Sequence, residues 1–432
     1  MGKPNFIIIY ADDLGYGDLS CYGSNDVKTP NLDRLSEQGV RFTNWYSNSS
    51  VCSPSRASLM TGRYPGRTGV SEILRGKRGT SGLPSDEITL ASYFKNRGYK
   101  TGIFGKWHLG VAEDNAPNAH GFDEFFGFLA GCVDYYSHIF YWEQGDGPNG
   151  TNPVHDLWHN QDEVWRNGQY MTEIITQKAV QFVESHVEEP FLMYVPYNAP
   201  HYPMHAPQKY LDRFPDLPAD KRIMAAMISA MDDGVGEIMN TLEENGLLDD
   251  TVIFFSSDNG PSTESRNYLD GTEDVYYGGS AGKFRGHKDS LFDGGIREPA
   301  ILSYPKKIPS GQISDELGVM MDIFPTFIDI ADEEIPEDRT IDGESVFDMA
   351  VNRSATPHEK IFWAESDQYA VRKGDWKLVL NGRLYNTKES PDPVHLSNIK
   401  DDPGERINLK ESYPSIVEEL INDIKEWEED LN

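Results

Sequence analysis

The sequence predicts an α/β fold: a large central, mostly parallel sheet flanked by helices, with a smaller C-terminal antiparallel sheet plus helix. Three observations point to it. Short, wholly apolar runs alternate with segments of helical period over most of the first 350 residues. Several of these runs end in charged or amide residues, as strands do where a sheet delivers a site to one edge. From about Ala350 the texture changes to short alternating strands with tight-turn signals. We therefore expect a main α/β domain over 1–350 and a C-terminal subdomain over 351–432.

Taken in order, residues 6–10 (Phe-Ile-Ile-Ile-Tyr) form a strand buried on both faces. Thr29-Pro30 opens a helix, with Thr29 as N-cap and proline at the first position, and Gly39 closes it. Residues 90–97 read as a helix and 101–105 as the next strand. Residues 170–187 place Ile175, Ala179, Phe182 and Val183 on one helical face. Residues 191–196 and 252–256 are two more strands. Between them, 223–245 carries Met224, Met227, Met231, Val235, Ile238 and Leu242 on one stripe, and these methionines read as core. Segments 132–168 and 262–286 give no regular pattern, and loops that long in a compact domain are usually functional. Residues 360–385 give short strands with turns at Lys373-Gly374 and Asn381-Gly382. A last helix puts Val417, Leu420, Ile421, Ile424, Trp427 and Leu431 on one face.

The 432 residues are 38% apolar and 12% aromatic, enough for a large core and against global disorder. The formal charge of -31, from 39 basic and 70 acidic residues, argues against a nucleic-acid partner, which needs a basic footprint. No apolar run reaches membrane-spanning length, so no membrane partner is expected. The first strand follows Met1 almost at once and no leader is visible. The compartment reads as cytoplasmic as written, or as periplasmic or secreted if a leader has been removed. Cys21, Cys52 and Cys132 do not make a disulfide framework.

The strand ends carry the chemistry. Strand 6–10 runs into Asp12-Asp13, and 101–105 into Lys106-Trp107-His108. Strand 191–196 runs into Asn198 and His201, and 252–256 into Asp258-Asn259-Gly260. Asp12, Asp13, Asp258 and Asn259 are hard oxygen donors suited to Ca²⁺ or Mg²⁺, and singly each also reads as an ordinary turn or capping residue. Lys106, His108, His201 and Lys288 are the types that hold a tetrahedral anion and supply a proton; singly each reads as a surface or satisfied core residue. Zinc is disfavoured, because no CxxC or HExxH spacing occurs. Cys52 taken alone reads as a small buried hydrophobe. Its setting, Cys52-Ser53-Pro54-Ser55-Arg56, reads as a helix N-terminus, where partial positive charge favours an anionic nucleophile or a bound sulfate. Arg56 adds a bidentate cation.

With these residues in view, the chain resembles a type I (formylglycine-dependent) sulfatase of the alkaline-phosphatase superfamily over nearly its whole length. The resemblance rests on Ile9 to Asp18, Thr29 to Leu35, Cys52 to Arg63 and Gly105 to Gly110. It continues through Pro200-His201, Ser257 to Gly260, Lys288 and Phe292 to Pro299. It implies that 1–350 is a catalytic domain and that a formylglycine-generating activating enzyme converts Cys52 to 3-oxoalanine (formylglycine). Pro54 and Arg56 belong to that enzyme's recognition motif, and Arg56 also steadies the hydrated aldehyde. Asp12, Asp13, Asp258 and Asn259 are implied to hold calcium, in preference to magnesium. Lys106, His108, His201 and Lys288 are implied to surround the sulfate, with Ser137 and His138 as substrate-binding residues. One hydroxyl of the hydrate attacks sulfur, His201 or His108 protonates the leaving alcohol, and the second hydroxyl expels sulfate.

The implied partner is a sulfated small molecule or oligosaccharide, with a sulfated sugar or polysaccharide fragment favoured. Tyr135, Tyr136, His138, Trp142, His155, Trp158, His205 and Arg285 sit in the segments expected to form the pocket rim. The alternatives are an arylsulfatase of broad specificity, a phosphate or phosphonate ester hydrolase, and a non-catalytic sulfoglycan-binding protein whose Cys52 stays a thiol.

Overall fold

The structure, a computed structural model, describes residues 2–141, 153–263, 278–385 and 388–431. In chain order its first half contains β1 (Asn5–Ala11), α1 (Pro30–Glu37), β2 (Val40–Tyr46), α2 (Cys52–Thr61), α3 (Leu90–Lys95), β3 (Lys100–Lys106) and β4 (Glu124–Phe128). Then come four two-residue strands, β5 (Ile139–Phe140), β6 (Val154–His155), β7 (Trp158–His159) and β8 (Asp162–Glu163). The chain continues with α4 (Met171–Ser185), β9 (Phe191–Pro196), α5 (Ala219–Glu244), β10 (Thr251–Ser257), β11 (Arg297–Ser303), β12 (Gln312–Ser314), β13 (Gly318–Val319) and α6 (Ile323–Ile330). The last part holds β14 (Lys360–Glu365), β15 (Gln368–Lys373), β16 (Trp376–Leu380), β17 (Arg383–Tyr385), β18 (Lys388–Glu389), β19 (Val394–Asn398) and α7 (Pro414–Leu431).

The large sheet runs β12-β2-β11-β10-β1-β9-β3-β4-β7-β8, with β13 paired to β2. Its centre, β10-β1-β9-β3-β4, is parallel throughout, and antiparallel pairs flank it on both sides. Alternation along β1 divides the core. Ile7 and Ile9 face the helices α1, α4 and α5, while Phe6, Ile8 and Tyr10 face α2, α3 and α6. The methionines of α5 lie in the first of these layers, as the stripe predicted. The predicted helices and strands recur with boundaries moved by a few residues. Thr29 holds the N-cap position of α1 with Pro30 first in the helix, as expected, but its hydroxyl makes no capping bond and accepts instead from the Ser20 backbone N–H at 3.0 Å. Segment 132–168, which gives no regular pattern in the sequence, carries β5 to β8; strands of two residues are too short to show a period.

One glycine sets the spacing at the sheet's carboxyl edge. Gly105 has φ +132°, and a Cβ there would stand 2.0 Å from Pro196 O. No other residue lets β3 approach β9 so closely just before Lys106.

The small antiparallel sheet runs β14-β15-β16-β19. α7 covers one face through Leu420 and Ile424, which pack with Val371, Leu378 and Leu396. The other face, with Trp363, Ala370 and Val379, packs against Tyr46, Phe292 and Ile296. A buried ionic cluster bridges the two sheets. Lys377 Nζ lies 2.6 Å from Asp293 Oδ1 and 3.2 Å from Glu405 Oε1, and all three side chains are fully buried. Arg297 and Tyr46 also bond Asp293. Burial pushes Glu405 up to about 7 even though Lys377 opposes it; burial also acts on Asp293, but Lys377 and Arg297 hold it near 2.

A second bridge makes stability pH-dependent. His358 Nε2 sits 2.9 Å from both oxygens of buried Asp322. Burial opposes charge on His358, but Asp322 outweighs it and raises the imidazole above its ordinary value. A raised folded value means the contribution is complete below the unfolded histidine value, about 6.5, and fades as pH rises through the folded one. Urea unfolding of wild type and His358→Asn at stepped pH should therefore show a gap that is widest in acid and narrows in alkali. A gap independent of pH would contradict the assignment.

Candidate active site

Because β10, β1, β9 and β3 run parallel, their carboxyl ends meet at one edge, where open α/β sheets place ligands. The residues that follow them, with Cys52 from α2 and Lys288 from the segment before β11, form one buried cluster. Cys52 Sγ donates to Asp12 Oδ1 at 3.7 Å. Potential ligand atoms of Asp12, Asp13, Cys52 and His201 all lie within 4.8 Å of one another.

Each carboxylate has a cation. Lys106 Nζ bonds both oxygens of Asp12 at 2.9 and 2.8 Å. Lys288 Nζ bonds Asp13 at 3.0 Å. Arg56 grips Asp258 through Nε at 3.1 Å and Nη2 at 2.6 Å, and its Nη2 lies 3.5 Å from Asp12. Asn259 Nδ2 donates to Asp13 Oδ1 at 2.7 Å, while its amide oxygen is buried without a protein partner. The backbone is held in unusual regions at two of these positions: Asp13 has φ 62° and His108 φ 55°. Left-handed non-glycine residues persist only where their surroundings fix them, and they concentrate at functional sites.

The electrostatics follow from burial. Burial would raise Asp258, but Arg56 and Lys106 hold it well below the usual carboxylate range. Burial opposes charge on Lys106, and Asp12 more than restores it. The Cys52 thiol is pushed far up: burial raises it, and the pull of Lys106 and Lys288 does not compensate. The helix N-terminus was expected to favour an anion at Cys52. Buried among these carboxylates, the thiol is instead held toward its protonated form.

The histidines divide. His201 Nδ1 donates to Tyr202 O at 2.6 Å, leaving Nε2 toward the cluster, 3.4 Å from Lys288 Nζ. His108 Nε2 donates to Leu74 O at 3.0 Å, and burial with the Lys106 charge lowers it well below the ordinary histidine value. It is therefore neutral. Ser137 donates to Asp134 at 2.8 Å. His138 is fully buried with Nε2 on Gln169 O at 3.2 Å, and burial lowers it to about 4. Neither is among the residues that pack around Cys52 in the cluster above.

Several residues expected at the rim have other roles. Tyr135 is fully buried, and its hydroxyl lies 2.6 Å from Asn198 O and 2.9 Å from His201 O, so it fixes the loop that carries His201. Arg285 donates to Glu405 O at 2.9 Å and covers Phe292, joining the two sheets. Trp142 lies outside the described residues. Other contributors gave no signal in the sequence because their partners are distant. Gln368 of β15 donates to Asp289 O at 2.8 Å, next to Lys288. Glu365 of β14 accepts from Ser49 at 2.8 Å, and burial pushes it up to about 7. Glu298 is buried with neither carboxyl oxygen hydrogen-bonded among the described residues, and burial, with the charges of Asp258 and Asp13, pushes its carboxyl well up.

Comparison with known proteins agrees with this geometry. The sulfatase family matches residues 4–333, and the family described as N-sulphoglucosamine sulphohydrolase, C-terminal, matches residues 282–430. The chain is 32% identical over 466 residues to arylsulfatase A of Bos taurus, covering 98% of this chain and 87% of that protein. It is 32% identical over 391 residues to N-acetylgalactosamine-6-sulfatase of Canis lupus familiaris, covering 87% and 71%. Among solved structures, Ps i-CgsB in complex with k-i-k-neocarrahexaose is similar at TM-score 0.86 and 31% identity, covering 99% of this chain and 93% of that one. The first family match spans well over half of the chain and contains every residue of the strand-edge cluster, so the chain belongs to the sulfatases, enzymes that hydrolyse sulfate esters.

Proposed function

We propose that this sulfatase removes sulfate from a sulfated sugar, with Cys52 converted to formylglycine and calcium held by Asp12, Asp13, Asp258 and Asn259. The observation that carries the reading is the meeting of residue 52 with Asp12, Asp13 and His201 within 4.8 Å, ringed by Lys106, Lys288 and Arg56. The oxygen-rich donor set suits a hard cation, and the unpartnered amide oxygen of Asn259 fits a missing ligand. Three carboxylates face three fixed cations, so the centre is close to neutral by itself. A bound divalent cation would supply the positive excess that draws a sulfate monoester into a chain of charge -31. Conversion of Cys52 would supply an aldehyde hydrate where burial leaves the thiol protonated and unreactive.

The chain's own groups take the remaining tasks. Lys106 and Lys288 stabilise charge on the non-bridging sulfate oxygens. Arg56 fixes Asp258 and stands beside Asp12. His201 is the proton donor to the leaving alcohol, because its Nδ1–H is tied to Tyr202 O and Nε2 faces the cluster. His108, neutral and bonded to Leu74 O, orders the wall instead. Ser137 and His138 are tied to Asp134 and Gln169 O, so on this reading they position the 134–138 segment and do not touch the sulfate. On this reading the catalytic unit is 1–350, the subdomain 351–432 buttresses it, and a formylglycine-generating enzyme is the maturation partner. The canine N-acetylgalactosamine-6-sulfatase and the neocarrahexaose complex favour a sugar as the leaving alcohol.

The test is a comparison of aryl sulfate and aryl phosphate hydrolysis, before and after chelation, using protein whose aldehyde has been verified. Sulfate should be preferred, and activity should fall on chelation and return with Ca²⁺. A preference for phosphate would replace the reading with phosphate ester hydrolysis. Inactivity on every aryl and sugar sulfate would leave a binding protein.

A further inference from the structure

A basic strip lies beside the cluster of a strongly acidic protein. Arg75, Lys77 and Arg78 are three cations within four residues, all exposed, in a chain of formal charge -31. The strip starts one residue after Leu74, whose carbonyl holds His108 Nε2. Four residues span at most about 14 Å, so the Arg78 backbone lies within reach of a short oligosaccharide anchored at Cys52.

Arg78 is set in place. Its Nη2 donates to Glu163 Oε1 at 3.0 Å and to His155 O at 3.2 Å, and its guanidinium lies 5.5 Å from the Trp158 ring centre. Half of the side chain, 51%, remains in solvent. The same Glu163 oxygen bonds His155 Nδ1 at 2.9 Å. The His155 ring stacks on Trp165, with centroids 3.6 Å apart and planes 10° from parallel. Trp165 is 61% exposed, against 43% for Tyr413, the other aromatic ring among the exposed large hydrophobic side chains of the described residues. A tryptophan held flat by a stacked, hydrogen-bonded histidine offers a rigid platform with little entropy to lose on binding. Its neighbour is a guanidinium with the planar fork that suits a tetrahedral oxyanion.

We propose that Arg78 and the Trp165–His155 stack form a subsite for a second sugar unit of the substrate, one that carries its own sulfate. The aromatic face takes the apolar side of the pyranose and Arg78 takes the anion. This inference rests on the sugar reading of the substrate. It adds that the substrate is an oligosaccharide with at least two sulfated units, one cleaved at residue 52 and one recognised at Arg78.

The test compares wild type with Arg78→Ala, Arg78→Lys and Trp165→Ala. The probes are an aryl sulfate and hexasaccharides prepared from carrageenan and from chondroitin sulfate. On the hexasaccharide that wild type cleaves best, Arg78→Ala should raise KM by about tenfold to a hundredfold, the range for a hydrogen bond to a charged group. The kcat should be unchanged. Arg78→Lys should recover part of the loss, and Trp165→Ala should raise KM in the same way. The rise of KM with salt should flatten in Arg78→Ala. Aryl sulfate kinetics should be those of wild type in all three, which a merely structural role for Arg78 would not give. If wild type cleaves a hexasaccharide and the variants match it, the subsite is wrong and the sugar reading stands. If wild type cleaves the aryl sulfate and no hexasaccharide, both are wrong.

Discussion

Cys52→Ala is expected to abolish sulfate ester hydrolysis, by about 10⁴-fold or more, the scale seen when a covalent nucleophile is removed, while the fold remains. Cys52 is 2% exposed at the start of α2, and its side chain makes a long hydrogen bond, 3.7 Å to Asp12. Alanine keeps the helix start and leaves the ion pairs of Lys106, Lys288 and Arg56 intact, so urea unfolding should barely change. Peptide mass spectrometry across residues 49–63 supplies the second readout. In active wild type the peptide should be lighter by the exchange of H₂S for O. Retained turnover in Cys52→Ala, or full activity in protein whose peptide still carries a thiol, would remove residue 52 from the mechanism.

Lys377→Met is expected to be the most damaging single change to stability, lowering the unfolding free energy by about 3–5 kcal/mol, the range for breaking a buried ion pair by removing one partner. Methionine fills the same space, so packing is retained and the loss is electrostatic. Asp293 and Glu405 would then face each other without the ammonium that lies 2.6 and 3.2 Å from them. Glu405 is already pushed up to about 7, chiefly by burial, and loss of Lys377 pushes it further. A carboxyl raised in the folded state opposes folding as pH rises above its unfolded value, so the deficit should grow toward alkali. Urea titrations at several pH values measure it. Lys377→Met combined with Glu405→Gln should recover part of the loss; no recovery would show that the pair is not the cause.

The elements that carry the site were legible because each is local. β1, β9 and β10 carry continuous apolar runs and β3 a short one, Ile103-Phe104, and polar residues follow each of them closely in sequence. The parallel arrangement turns those four tails into one cluster, so Asp12, Lys106, His201 and Asp258 could be grouped before any coordinates. What stayed hidden is long-range. Nothing around Gln368 or Glu365 says that they reach Asp289 and Ser49 from the small sheet. Tyr135 read as a rim aromatic because exposure cannot be inferred for a residue in an unpatterned loop. The environment of Cys52 was hidden for a related reason: a helix N-terminus is visible in the sequence, but the burial and the carboxylates after β1 and β10 that oppose an anion there are not.

The bond from Ser49 to Glu365 spans 316 residues of chain. At about 5–20 residues per second of synthesis, the strand that closes over Ser49 emerges on the order of 15 to 60 s after residue 49. Ser49 lies three residues before Cys52. The segment that leads into residue 52 therefore reaches its final hydrogen bonding only once β14 has been made, although the donors around residue 52 itself all come from the large domain.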